Sequence, residues 1–187
     1  MVEHHTLAFF KPYGIPSTFT DEQGRETLKN FIPIPGIYAA GRLDLASEGL
    51  LILTDDGALA HRLTDPVHHL PKTYLVQVEG LITDEALARL ENGLVLDGVK
   101  TRRCRAMRIP APDLPERAKP VTPHAPTAWI RIVLKEGKKH QVRRMTSLVG
   151  FPTLRLVRVA IGPVTIAELQ PGQWRELSQD EITALKK

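Results

Sequence analysis

The apolar positions of this chain fall into short blocks separated by turn residues, with few long periodic stretches. Leu7–Phe10, Ile37–Ala40 and Leu50–Leu53 are continuous apolar runs and predict buried strands. Residues Thr73–Val78 alternate, which predicts a strand with Tyr74, Val76 and Val78 on one face. Trp129–Leu134 and Leu154–Val159 are β-rich in the same way. Three helices are expected. Thr83 caps the first, with Asp84 and Glu85 in its opening turn and Gly93 at its end. Val142, Met145 and Val149 form one apolar face of the second, which stops at Gly150. The box Ser178-x-x-Glu181 opens the third, carrying Ile182 and Leu185. Asp55-Asp56 before Gly57 reads as a hairpin turn. Strands mixed with scattered helices, without βαβ regularity, predict an α+β fold with a mostly antiparallel sheet.

The segment 110–126 breaks this pattern. It holds six prolines, little apolar bulk and mixed charge, so it can be neither a central strand nor a helix. It is expected to be a mobile loop or an insertion between two strands, with an RNA-contacting arm as the alternative.

At 187 residues the chain fits one domain, or two subdomains around a shared cleft. A single cysteine, Cys104, excludes an internal disulfide and a cysteine-rich zinc site and fits a reducing, cytoplasmic setting. No apolar stretch approaches a membrane span, and no signal peptide is expected. His4-His5 and His68-His69 lack a third ligand at sensible spacing, so no metal is expected. Monomer is the default expectation.

Net charge is only +4, but it is unevenly placed. Between residues 131 and 158 there are eight Lys or Arg and one acid, Glu136; between 100 and 108 there are five basic residues and no acid. Such clusters point to a polyanion partner, with an ordinary solvated surface as the alternative.

The most informative stretch is Gly41-Arg42-Leu43-Asp44-Leu45-Ala46-Ser47-Glu48-Gly49, followed by the apolar run 50–53. A carboxylate set between leucines in front of a buried strand is costly to keep ionised without a nearby cation. Asp44 therefore reads either as a nucleophile or as a loop acid satisfied by backbone N–H groups. Asp55-Asp56, or Glu48 with Asp44, resemble acid pairs of hydrolases only superficially; turn and loop-fixing roles account for them. His140 is expected to start a helix as a hydrogen-bonding residue.

With its neighbours, this stretch resembles motif II of the RsuA-type pseudouridine synthases, which isomerise uridine in ribosomal RNA. Three more motifs follow the family's order: Phe10-Lys11-Pro12-Tyr13-Gly14, Lys72-Thr73-Tyr74-Leu75-Val76, and Glu136-Gly137-Lys138-Lys139-His140-Gln141-Val142-Arg143-Arg144-Met145. Four motifs in order, spanning about residues 7 to 176, carry far more than any one alone. The resemblance implies a curved mixed sheet flanked by helices with a central cleft, over a single catalytic domain 1–187. Because motif I begins near residue 7, no N-terminal S4 domain is expected, as in the RluE-like branch.

What the resemblance implies for residues is specific. Asp44 is the catalytic carboxylate, attacking C1′ or deprotonating C2′, with addition at C6 as an older proposal. Arg143 is its guanidinium partner, with Arg144 as a rival; Tyr74 stacks on the target uracil. Arg42 occupies the place vacated by a flipped nucleotide or contacts its phosphate. Lys11 is expected to be structural. Lys72, Lys138, Lys139, Arg144, Arg102, Arg103 and Arg105 complete the expected RNA contacts. The implied reaction needs no cofactor and the implied partner is ribosomal RNA, most directly that of the large (23S) subunit. A catalytically silent RNA-binding or assembly factor on the same fold is the alternative.

Overall fold

The computed structural model describes residues 4–187. The first three residues of the expected domain 1–187 lie outside the described residues. In chain order the strands are β1 (Thr6–Lys11), β2 (Tyr38–Ala39), β3 (Glu48–Thr54), β4 (Lys72–Glu79), β5 (Val95–Leu96), β6 (Val99–Lys100), β7 (Arg105–Ile109), β8 (Thr127–Leu134), β9 (Thr153–Ile161), β10 (Val164–Thr165) and β11 (Trp174–Glu176). The helices are α1 (Gly57–Thr64), α2 (Asp84–Asn92), α3 (Gln141–Leu148) and α4 (Gln179–Leu185). The fold is α+β. The chain forms two compact units: the described residues up to Leu70 together with Val159–Lys187, and Pro71–Arg158.

In the first unit β1 lies between β11 and β3, antiparallel to both, and the short β2 pairs with β3. Every residue of β1 and β3 is buried, which is why both read as continuous apolar runs rather than alternating ones. Leu7, Phe9, Leu51 and Leu53 from these strands pack with Ile15, Leu28, Ile32, Ile37 and Leu43. Phe9 and Phe31 meet with ring centroids 5.6 Å apart.

The expected hairpin at Asp55-Asp56-Gly57 is instead the start of α1. Asp56 accepts from the N–H groups of Ala58 and Leu59, both at 3.0 Å, an N-cap that satisfies two otherwise orphan donors. Leu59 and Leu63, four apart, are the buried face of α1. Asp55 accepts from the His5 N–H at 2.9 Å and lies 3.1 Å from His4 Nδ1. Both acids hold structure.

In the second unit β8 pairs antiparallel with β4 and β7. One face of this sheet carries Tyr74, Val76, Val78, Ile130 and Ile132, and it packs on Leu87 and Leu90 of α2 and Val142 and Met145 of α3. Thr83 caps α2 through the Ala86 N–H, as expected, and Gly93 ends it. Val95–Lys100 forms a two-stranded hairpin whose turn, Asp97-Gly98, has both residues at positive φ.

The Pro-rich segment does join two paired strands, β7 and β8, but it is anchored rather than loose. Arg155 donates to the Pro115 carbonyl at 2.7 Å, Arg117 to the Leu154 carbonyl at 3.3 Å, and the Gly80 N–H to the Pro126 carbonyl at 2.6 Å. Prolines leave their carbonyls available as acceptors, and Arg155 and the Gly80 N–H use two of them.

Candidate active site

The sequence-predicted residues divide between the two units: Arg42 and Asp44 in the first, Tyr74, Lys72, Arg143, Arg144 and the basic clusters in the second.

In the first unit the loop between β2 and β3 is shaped by its ends. Gly41 and Gly49 hold φ of +95° and +103°, a region that strains any residue with a Cβ. Leu43 is 7 % exposed and sits in the core, while Leu45 is 41 % exposed, so Asp44 stands half-buried between an anchored and an outward leucine. The Ser17 hydroxyl donates to the Leu43 carbonyl at 2.7 Å and accepts from the Leu43 N–H at 2.9 Å. Two further backbone bonds close the loop, Ser47 N–H to the Asp44 carbonyl and Gly14 N–H to the Leu45 carbonyl, each 2.9 Å. The acid is thus held on a backbone pinned on both sides. Glu48 is fully buried at the head of β3. Lys11 is also fully buried, donating to the carbonyls of Pro12 at 2.9 Å and Ile15 at 2.6 Å. It therefore ties the turn of Lys-Pro-x-Gly together.

In the second unit Tyr74 is 8 % exposed, its ring packed with Val142 and Met145, the residues that bracket Arg143 on α3. Its hydroxyl makes no hydrogen bond among the described residues and is not among the sealed polar atoms, so it reaches solvent. Arg143 and Arg144 both lie off the buried stripe of α3, and Arg144 is bound to the β5–β6 turn. It donates twice to Asp97, at 2.7 and 2.9 Å, and holds that carboxyl below its ordinary range. This fork occupies the expected rival for the Arg143 role. His140 begins α3 at φ +53°, and its side chain does not cap the first N–H groups of the helix. Gln141 brings order there instead: its Oε1 accepts from the Lys138 N–H at 2.9 Å and its Nε2 donates to Glu136 at 2.6 Å.

Glu136, the lone acid of the basic stretch, also accepts from the Arg102 N–H at 2.8 Å. It therefore joins the two basic clusters. Arg102, Arg103, Arg105 and Lys139 are exposed, Lys138 is half-buried, and none makes an ion pair among the described residues. Other members of the clusters are spent internally. Arg108 binds the Ile82 carbonyl and Asp84, and Arg155 and Arg158 are buried. Burial, reinforced by Arg158, lowers the Lys72 ammonium below the ordinary lysine value. Burial, with Glu91 and Glu136, pushes the Cys104 thiol up to about 11, so it is no thiolate nucleophile. Among the described residues no group of three or more His, Cys, Asp or Glu is placed to hold a metal ion.

Sequence reasoning missed helix α1, the β5–β6 hairpin and the strands β7, β10 and β11. Helix α1 was signalled by Asp56 ahead of Leu59 and Leu63, and the β5–β6 hairpin by Asp97-Gly98 between apolar residues.

Known proteins resemble this chain in sequence and fold. Ribosomal large subunit pseudouridine synthase E of Xanthomonas campestris pv. campestris is 54 % identical over 170 residues, covering 88 % of this chain and 91 % of the relative. The protein of the same name from Vibrio vulnificus is 49 % identical over 180 residues, covering 95 % of this chain and 77 % of the relative. Ribosomal small subunit pseudouridine synthase A of Salmonella typhimurium is 35 % identical over 193 residues, covering 99 % and 77 %. A crystal structure of a pseudouridylate synthase superposes with a TM-score of 0.82 at 31 % identity, covering 99 % of this chain and 75 % of that one. The family profile described as RNA pseudouridylate synthase matches residues 5–148, a span that takes in the pinned Asp44 loop, the Tyr74 strand and Arg143. With that match over most of its length, and relatives this similar across three quarters or more of theirs, the chain belongs to the RNA pseudouridylate synthase family.

Proposed function

We propose that this enzyme isomerises a uridine of large-subunit ribosomal RNA to pseudouridine, with Asp44 as the catalytic carboxylate. The observation that carries the choice of RNA is the identity of 54 % and 49 % to large-subunit synthases, against 35 % to a small-subunit one.

The reaction breaks the N1–C1′ bond, turns the uracil, and joins C5 to C1′; the C5 proton is lost and N1 gains one, so atoms balance without a redox partner. Asp44 acts in its ionised form, whether at C1′ or at C2′. The pinned loop supports this role, since a carboxylate that must meet one sugar carbon needs a fixed backbone. Arg143 serves the reaction as the cation that keeps a carboxylate charged, with a fork geometry that lysine lacks. Tyr74 offers an aromatic face for an unstacked pyrimidine and a hydroxyl for proton transfer at C5. The target base must leave its helix for C1′ and C5 to be reached. Arg42, Lys72, Lys138, Lys139, Arg102, Arg103 and Arg105 contribute phosphate contacts, which position the strand.

The test is pseudouridine mapping of large-subunit rRNA by carbodiimide modification and reverse transcription, in cells with and without this gene. One site lost on deletion, restored by the wild type and not by Asp44→Asn, is the expected result. An unchanged map would overturn the substrate, and rescue by Asp44→Asn would overturn the nucleophile.

A further inference from the structure

The first unit contains a groove of about 820 Å³ of which the proposed reaction uses only Arg42, on the rim. Its floor is apolar: Ile32 and Ile37 belong to the buried core, and Phe19 and Ile34 pack half-buried against that core. Its rim is of a different kind. Tyr38, on the edge strand β2, is 68 % exposed, an unusual position for a large aromatic side chain. Lys29 and Arg42 are exposed, and neither makes an ion pair among the described residues. No carboxylate lines the groove.

An apolar groove with an aromatic edge and two uncompensated cations matches the two parts of a nucleotide. The base needs a stacking face and the phosphate needs positive charge. The groove is also coupled to the catalytic loop. Ser17, one of its lining residues, holds Leu43 by two hydrogen bonds, and Arg42 on its rim lies two residues before Asp44. We infer that this groove receives a nucleotide of the RNA strand flanking the target uridine, its base against Tyr38 and its phosphate against Lys29 and Arg42. The inference rests on the reading of RNA as the substrate and adds to it a second point of strand recognition outside the catalytic residues.

The test reads binding rather than turnover. A short hairpin from large-subunit rRNA that carries the modified uridine is titrated by fluorescence anisotropy, with abasic substitutions walked along its loop. Tyr38→Ala is expected to weaken binding about tenfold, and Tyr38→Phe to restore it. One abasic position should weaken the wild type by a similar factor and Tyr38→Ala no further. Lys29→Gln should make the salt dependence shallower by about 0.7 in logarithmic slope. Equal affinities of wild type and Tyr38→Ala, or losses that add at every abasic position, would overturn the groove as a nucleotide site. A wild type that binds this hairpin without forming pseudouridine would sink the proposed reaction while leaving the groove standing.

Discussion

In the first unit most charged side chains are turned to holding the fold. Lys11 is sealed against two carbonyls, Asp56 caps α1, Arg25 pairs with Asp21 at 2.6 Å, and Arg175 forks onto Glu181 at 2.7 and 2.8 Å. The second unit also spends some of its charge internally, in Arg144, Arg108 and Arg155. It nevertheless leaves Arg102, Arg103, Arg105 and Lys139 exposed without ion pairs. One unit supplies a positioned acid on a stiff backbone, and the other supplies an electrostatic surface. Fixing one carboxylate needs neighbours that do not move, whereas attracting a polyanion needs cations that no protein acid has already neutralised.

Breaking the acid should have the largest effect. Asp44→Asn keeps size and removes charge, and turnover is expected to fall about 10³-fold while RNA affinity and thermal stability stay near wild type. Single-turnover pseudouridine formation beside equilibrium binding measures both. Equal losses of affinity and turnover would make Asp44 a binding residue and erase the contrast between the units.

The complementary change is in the surface. Replacing Arg102, Arg103 and Arg105 together with Gln should weaken RNA binding at physiological salt. It should also make the logarithmic salt slope shallower by about 2, near 0.7 per lost phosphate contact. Bound RNA should still turn over at the wild-type rate. An unchanged slope would return these arginines to ordinary solvated surface.

Two smaller effects sharpen the structural side of the comparison. Lys11→Met leaves the Pro12 and Ile15 carbonyls without their donor inside the first unit, at a cost of about 1–3 kcal/mol in denaturant unfolding. Wild-type stability in that variant would mean that the sealed ammonium contributes nothing net. Asp56→Ala removes the α1 cap and should cost about 1 kcal/mol at neutral pH. The pH dependence has a definite sign. The Leu59 N–H first, and then Lys186, hold the Asp56 carboxyl below its ordinary value of 3.8 in the folded protein. Its contribution is therefore present above that pH and is lost as pH falls through the folded value. The gap between wild type and Asp56→Ala should narrow in unfolding curves taken at acid pH, and a gap that stays constant would separate the cap from the carboxylate's charge.

Much of this was legible in the chain because the signals are short. The buried strands read from residues in series, the α2 cap from Thr83 with its first turn, and the α4 box from Ser178 and Glu181, three apart. The stripe of α3 put Arg143 off its apolar face from spacing alone. Even the missed helix α1 carried its cap and its i, i+4 leucines in plain order. It was misread because Asp-Asp-Gly serves a turn as readily as a helix start.

The sequence by itself determined the family and the longer buried strands and capped helices, because periodicity, caps and motifs act over a few residues. Only the tertiary structure decided which charges are spent and which remain. Arg144 meets an acid 47 positions away, Glu136 accepts from the Arg102 backbone N–H at 34 while that guanidinium makes no ion pair among the described residues, and Ser17 pins Leu43 at 26. The groove beside Tyr38 belongs to the same class. Its lining comes from the single stretch 17–42, folded so that Ile32 and Ile37 enter the first core while Tyr38 stays exposed. Long-range pairing is the outcome of packing a core and satisfying its buried polar groups, and no local pattern encodes which distant partner will be near enough to do so.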